Sequence, residues 1–567
     1  MNIEAAFSKD GYDITKRETL DTGGWGVLAE NRSVVNCVTG KKKTAMYVNG
    51  TAYEMGQLTS KLAPEAVYRM VIDFPDMIPG EFIDPDLPEP IAHMIGAILR
   101  HFVKEYAPRV VPTLPKTLIQ EMQGVADAEK RIDFDDVLVL NVGFDILCGF
   151  AYNPDHHFEL VDYLIDKYEL HKEHVDIRDV QLKREHFRIP LMCNAYSAAG
   201  AATADGQSHF FGRDFQFPTG GIFQDEACMI VYAPTDGRRT LVSMAAPGMV
   251  GSIAAMNDRS VAMGVNMLPA GNTNSSQPGF NSLLLVRHSI HSGATAEEVV
   301  HVVEEAQRGV AWLYVVADGQ SGRAVALETG ERSLVLDALS YPPKDLLPLL
   351  PDEAFLLEFE KVKPVMGVQQ RWNDFEYPEV FFKFNPDLFK KYEVPFKAEE
   401  LSELGSFCTE CRQEDCVPAF FFFGPQRETK ADLLLATNTA INISMRLCQM
   451  YPPATLTAFQ YWTDIQWRYD MLNRYLLESY GTIDGDQAWK IISFLSPTIG
   501  KYPDYYVKCL PQPVVKCQNG NDTRQVYGST SLCDLKEIKM RSLYGYFADD
   551  SVAITLPYYV DATPVSG

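Results

Sequence analysis

Short apolar runs separated by polar turns open the chain. The stretch "WGVLAENRSVVNCVTGKKKTAMYVNGTAYEMG", within about Gly23 to Tyr53, reads as strands, with Gly40 and Lys41–Lys43 at a turn. From Glu54 to about Ile189 the apolar spacing lengthens to three and four residues, the period of a helix. "HMIGAILRHFVKEYA" carries that period, and "DFDDVLVLNVGFDILCGF" predicts another helix with Asp133 as its N-cap. After Cys193 short strands dominate: "CNAYSAAGAAT", "SHFFGRDF", "CMIVYAP", "TLVSMAAP", "GSIAAMN" and "SVAMGVNML". Asp205-Gly206 and Asp236-Gly237 supply turns between them. "NSLLLVRHSIHSGATAEEVVHVVEEAQ" predicts two helices, the second capped by Thr295 with Glu298 three residues on. "AWLYVVAD" and "RAVALETG" follow as paired strands.

Residues 340–430 break this rhythm. They are rich in Pro, Phe and acidic residues, include "AFFFFGP", and read as an inserted subdomain. "ADLLLATN" resumes the strand pattern. Helices are expected near Ile441–Tyr480 and Asp486–Leu495, then a strand pair in "QVYGSTSLCDL" and "SLYGYFAD". Many antiparallel strands with helix pairs between them predict two sheets covered by helices, not alternating βα units.

Composition narrows the function classes. The 567 residues are 46% hydrophobic and 22% charged, an ordinary globular balance. A formal charge of −24 argues against nucleic acid and anionic membrane surfaces as partners. No apolar run is long enough for a spanning helix. The first twenty residues lack the apolar core of a secretory signal, which predicts a cytoplasmic protein unless a signal was trimmed. The 11 cysteines then read mainly as reduced buried thiols. "CTECRQEDC" places Cys408, Cys411 and Cys416 together, but no fourth ligand is evident, and no metal is expected there. His171 and His174, in a highly charged stretch, read as solvated surface residues. No dinucleotide fingerprint, P-loop or zinc-protease helix occurs, and no cofactor is expected.

The candidate chemistry lies at strand ends. Cys193 opens one strand, Arg213 lies near the end of the next, and Asn266 and Asn438 end two others. Such positions can converge on one edge of a sandwich. The ordered segments "MCNAYSAAGAATADGQSHFFGRDFQF", "MNDRSVAMGVNML", "AWLYVVADGQSGRAVALETG", "LLATNTA" and "WRYDMLNRYLLESYGTIDGDQAWKIIS" together resemble the N-terminal-nucleophile (Ntn) cysteine hydrolases, of the choloylglycine hydrolase and acyl-coenzyme A:6-aminopenicillanic acid acyltransferase group. Upstream, "YVNGTAYEMGQLTSKL" and "FDDVLVLNVGFDIL" resemble the acyltransferase branch's pro-segment.

The resemblance implies an α+β fold, a four-layer αββα sandwich of two mainly antiparallel sheets. Residues 1–192 would be the pro-segment, and 193–567 the hydrolase core with its insertion at about 340–430. Autoproteolysis between Met192 and Cys193 would make Cys193 both nucleophile and, through its new α-amine, general base, since an α-amine titrates at about 7.7–8.0. Asn266 and Asn438 would donate to the oxyanion, and Arg213 would favour the thiolate. An Asp usually follows this Arg by three residues and holds the amine; here that position is Gln216, with Asp214 directly after the Arg. A late catalytic Arg has only Arg524 as a candidate. The implied activity is hydrolysis of a linear amide bond, or acyl transfer, on a small N-acyl compound. The cleaved N-terminal fragment would stay bound as partner. Two other classes are open: an uncleaved binding protein on the same scaffold, favoured by Gln216, and a cysteine hydrolase with His209, His288 or His291 as base.

Overall fold

The computed structural model describes residues 1–83, 87–152, 167, 192–270, 272–332, 365–375, 430–442, 445, 468–469, 471–503 and 513–564. Most of the expected insertion, the His156–His186 segment and the Cys408–Cys416 cluster lie outside the described residues. The described strands, in chain order, are β1 (Tyr12–Thr19), β2 (Trp25–Val35), β3 (Lys42–Gly50), β4 (Met192–Ala199), β5 (His209–Gln216), β6 (Cys228–Pro234), β7 (Leu241–Ala245), β8 (Ala254–Asn257) and β9 (Val261–Met267). Then come β10 (Trp312–Asp318), β11 (Ala324–Thr329), β12 (Val368–Trp372), β13 (Leu433–Ala436), β14 (Val515–Lys516), β15 (Asp522–Thr523), β16 (Gln525–Asp534), β17 (Lys539–Tyr546) and β18 (Val552–Thr555).

The protein is a mixed α+β molecule built on two large sheets. One has ten strands in the order β1-β2-β3-β6-β7-β8-β9-β10-β11-β12; the other has six, β13-β4-β5-β16-β17-β18. All pairings among the described strands are antiparallel except one: β3 runs parallel to β6, so the N-terminal strands extend the sheet formed by the later sequence. β4 and β5 pack across β9, which brings the sheets face to face.

Burial on both faces explains the composition of β4 and β5. Cys193, Ala195, Phe211 and Phe215 point into one apolar cluster, while Tyr196, Ala198 and Phe210 point into another. Strands buried on both sides lose polar alternation and read as continuous small or apolar runs. Residues 471–478 and the helix Gly485–Ile492 cover the second cluster.

The N-terminal helices include α1 (Ile3–Lys9), α2 (Ala52–Leu62), α3 (Pro64–Tyr68), α4 (Phe74–Glu81), α5 (Glu89–Val110), α6 (Lys116–Ala128) and α7 (Phe134–Tyr152). The Asp133 expectation for α7 holds: Asp136 N donates to Asp133 Oδ1 at 3.0 Å, and Asp133 N returns a bond to Asp136 Oδ2 at 3.1 Å. α2 and α6 cross in close contact because each brings a glycine there. A Cβ on Gly56 would sit 2.0 Å from the Glu121 carbonyl oxygen, and one on Gly124 would sit 2.1 Å from that of Tyr53. α7 is buried around nearly its whole circumference, between α5, α6 and the helix Ser282–Ser292. No described helix is long and apolar enough to cross a membrane.

Candidate active site at the start of β4

The backbone of Cys193 is gripped by side chains from distant sequence. Its N–H donates to Asn438 Oδ1 at 2.8 Å, and its carbonyl oxygen accepts from Arg468 Nη1 at 2.8 Å. Asn438 lies just past β13, the edge strand beside β4, so sheet pairing delivers it to this position. Arg468 also donates from Nη1 to Asn194 Oδ1 at 2.9 Å and from Nη2 to Asn438 Oδ1 at 3.0 Å. One guanidinium therefore joins β4 to the loop after β13.

That loop is itself pinned. Glu328, fully buried on β11, accepts from the N–H groups of Ile441 at 2.8 Å and Asn442 at 3.1 Å. Arg371 on β12 lies 3.8 Å from Glu328 and donates to the Leu435 carbonyl at 2.9 Å. Burial pushes the Glu328 carboxyl up from its ordinary range, and Arg371 with these backbone donors opposes the rise.

On the thiol side sits Arg213, 1% exposed. Its guanidinium stacks 4.7 Å from the Phe215 ring centre, and Nη1 donates to the Asp214 carbonyl at 2.6 Å. Nε and Nη2 are buried without a well-formed hydrogen bond. Burial pulls its pKa down; the Cys193 thiol and then the Asp214 charge pull it back up. The stem of Arg213 lies on Gly264 of β9, where a Cβ would come within 2.6 Å of Arg213 Cδ. The Gly264-x-Asn266 spacing thus has two parts: a gap that admits the arginine, and an asparagine two residues on. Asn266 donates from Nδ2 to the Thr437 carbonyl at 2.7 Å, and its Oδ1 is buried without a hydrogen-bond partner. Asn438 donates from Nδ2 to the Met267 carbonyl at 2.9 Å.

Asp214 and Gln216 occupy the opposite face of β5. Asp214 accepts from Gln216 Nε2 at 2.8 Å, Thr530 Oγ1 at 3.0 Å and Asn194 Nδ2 at 3.1 Å. Burial raises its pKa and these donors counter it. Gln216 pairs in register with Met192, and its Oε1 has no hydrogen-bond partner. The Cys193 N–H goes to Asn438, not to Gln216.

The structure brings Cys193, Arg213, Asn266 and Asn438 together and adds Arg468, which the sequence reading did not single out. The signal was present in "WRYDMLNRYLLESYG", where Arg468 is the first arginine. Arg524, the candidate considered instead, is partly exposed just before β16, and its carbonyl accepts from Phe547. None of the three histidines makes a hydrogen bond to Cys193. His209 bonds Ser197 Oγ at 2.7 Å and the Asp318 carbonyl at 3.1 Å, and burial lowers its pKa to about 4. His291 accepts from Arg287 Nε at 2.7 Å and meets the Arg239 carbonyl. His288 packs near Phe280, and burial lowers its pKa to about 4.

The N-terminal region reaches the same place. Burial, then the nearby Asp145, raises the pKa of Cys148 on α7, with a smaller push from Cys193. Leu147 beside it lines an apolar groove between α4, α5 and α7, with Arg100, Lys104 and Asp76 also on its wall. Phe74, another wall residue, meets the ring of Phe217 at 6.4 Å, immediately after β5. Among the described residues no group of three or more His, Cys, Asp or Glu is arranged to hold a metal ion.

No family model matches the chain. It is similar to an uncharacterized protein of Archaeoglobus fulgidus, 27% identical over 515 residues, which cover 90% of this chain and 65% of that protein. The chain thus spans a little under two thirds of that relative's length. Two variants of the conjugated bile acid hydrolase from Clostridium perfringens are similar solved structures, each 11% identical. One covers 65% of this chain at a TM-score of 0.27, the other 64% at 0.31, and each is matched over 93% of its own length.

Proposed function

We propose that the chain is a self-processing Ntn cysteine amidohydrolase, or an acyltransferase through the same thioester, acting on a small N-acyl compound. One observation carries the reading: the peptide nitrogen and carbonyl of Cys193 are both held by side chains, Asn438 and Arg468, instead of by the strand ladder alone. A backbone nitrogen held in this way keeps its place when it becomes a free amine.

In the cleavage step the Cys193 sulfur attacks the Met192 carbonyl carbon, the C–N bond breaks, and the acyl group moves to sulfur. Water then opens the thioester, leaving a Met192 carboxylate, a free thiol and the Cys193 α-amine. In turnover that amine takes the thiol proton as sulfur attacks the substrate amide, and returns it to the leaving amine; water, or an acceptor amine in acyl transfer, then takes the acyl group from sulfur and gives its proton back to the thiol. Arg213 supplies positive charge beside the thiol. Asn266 and Asn438 are the oxyanion donors of this reading; their Nδ2 groups now bond the carbonyls of Thr437 and Met267, so they must turn toward the developing charge. Residues 1–192 remain bound after cleavage, because β3 pairs with β6 and Thr563 N bonds the Met1 carbonyl.

Cys193 is wholly buried, and the amine position lacks a carboxylate partner; both favour a second reading, an uncleaved binding protein on this scaffold. Denaturing intact mass of purified protein beside Cys193→Ala separates the two. The enzyme reading expects two fragments, the larger beginning at Cys193, and one species in the variant. One species in both samples, with no labelling of Cys193 by a thiol-reactive acyl probe, overturns it.

A further inference from the structure

Far along the sequence from Cys193, two other cysteines meet. Cys37 lies in the turn between β2 and β3, and Cys517 in the hairpin joining β14 to β15. Their Sγ atoms are 2.7 Å apart, against about 2.05 Å for a bonded pair. The backbones on either side are already fixed. Gln518 N donates to the Cys37 carbonyl at 2.7 Å, and Cys517 N donates to the Asn521 carbonyl at 2.9 Å. Cys37 N donates to Asp549 Oδ1 at 2.8 Å, and Asp549 is ion-paired at 2.7 Å with the buried Lys43. Asn36 closes the turn by accepting from the N–H groups of Val38 and Thr39.

We propose that Cys37 and Cys517 are a disulfide site that ties residues 1–192 covalently to residues 193–567. The oxidant is a small disulfide such as glutathione disulfide. Cys37, the more exposed of the two, attacks as thiolate and forms a mixed disulfide, releasing one glutathione thiolate; burial, Cys517 and Asp549 hold its pKa up, so this step quickens as pH rises. The Cys517 thiolate then attacks the Cys37 sulfur and releases the second. Two protein thiols are oxidised, one glutathione disulfide is reduced, and the two thiol protons end on the two glutathiones. Neither sulfur has to cross the molecule, because hydrogen bonds and a buried ion pair fix both loops before the bond forms.

The bond does not depend on the hydrolase reading, although it matters most if the chain is cut at Met192–Cys193. The test uses the full chain, incubated with glutathione disulfide, alkylated and mapped by mass spectrometry without reduction. The expected result is a joined pair of peptides carrying Cys37 and Cys517, lighter than their sum by two hydrogens, lost on reduction and absent in Cys37→Ser. Full separate alkylation of both cysteines after oxidation overturns the proposal, as does Cys517 joined to any other cysteine. Wild-type mapping decides the matter even if the variant fails to fold. Denaturing gels keep the two proposals apart. Cleavage with the disulfide gives one band without reductant and two with it. Cleavage without the disulfide gives two bands under both conditions. An uncut chain gives one band in both, and the peptide map still reports the bond.

Discussion

Two buried arginines show how differently one residue type is treated in two parts of this molecule. Arg287, on the helix Ser282–Ser292, has every arm occupied. Nη2 reaches both carboxylate oxygens of Glu121 at 3.2 and 3.3 Å, Nη1 donates to the Val250 carbonyl at 3.1 Å, and Nε donates to His291 at 2.7 Å. Its guanidinium lies 3.2 Å from the Tyr232 ring centre. Arg213 is equally buried, yet two of its nitrogens lack a well-formed bond and its nearest reactive neighbour is the Cys193 thiol. A satisfied buried charge holds structure together; an unsatisfied one keeps positive charge available for chemistry beside it. Arg287 joins α6 of the N-terminal region to the later helix, whereas Arg213 waits beside a sulfur.

The sharpest way to break this comparison is to remove each arginine. Arg287→Met leaves Glu121 buried and unpaired, and should cost roughly 3–5 kcal/mol in urea unfolding. Adding Glu121→Leu should restore much of that loss. Arg213→Met should leave the unfolding midpoint nearly unchanged or raise it, while slowing processing or turnover by at least about 100-fold. If Arg213→Met destabilises as much as Arg287→Met and leaves the chemistry alone, the two residues are alike and the contrast fails.

Asn438 tests the other half of the site. Asn438→Ala removes the acceptor for the Cys193 and Arg468 N–H groups, and should slow the appearance of cleaved fragments by about 100- to 1000-fold in a mass time course. Equal rates in variant and wild type would show that the cradle is structural.

A smaller effect is expected at the far end of β5. His209 titrates near 6.5 when unfolded and, buried, at about 4 when folded. Between those values the unfolded chain holds the extra proton, so stability rises with pH. The contribution is complete above about pH 6.5 and falls as pH drops toward 4, on the order of 3 kcal/mol. His209→Gln should flatten that part of the pH–stability curve without moving the pH profile of turnover. A shifted turnover profile would return His209 to the list of bases. At the small end, the exposed pair Lys516–Asp522 should matter little, and Lys516→Ala should change stability by less than about 0.5 kcal/mol.

Local pattern was enough to mark most of the long strands, the α7 cap at Asp133 and Cys193 near the head of β4, because these rest on spacing and on neighbours a few residues away. It also placed Asn266 at the end of its strand, although not the need for Gly264 two residues before it. The N-terminal strand Tyr12–Thr19 was missed, since its alternating "YDITKRET" is mostly polar and half-exposed at a sheet edge.

Other features depend on contacts that no window of sequence contains. The parallel pairing of β3 with β6 joins residues about 180 positions apart in the chain. Arg468 reaches Cys193 across 275 residues, and Cys37 meets Cys517 across 480. The two buried faces of β4 and β5 erase the polar alternation that would have shown which side Asp214 and Gln216 take. Sequence alone marked many of the strands and helices and the thiol near the start of β4, because those follow from local periodicity and turn chemistry. Only the tertiary structure decided which groups hold the Cys193 nitrogen and carbonyl, because those choices are made where strands distant in sequence pack at one buried edge.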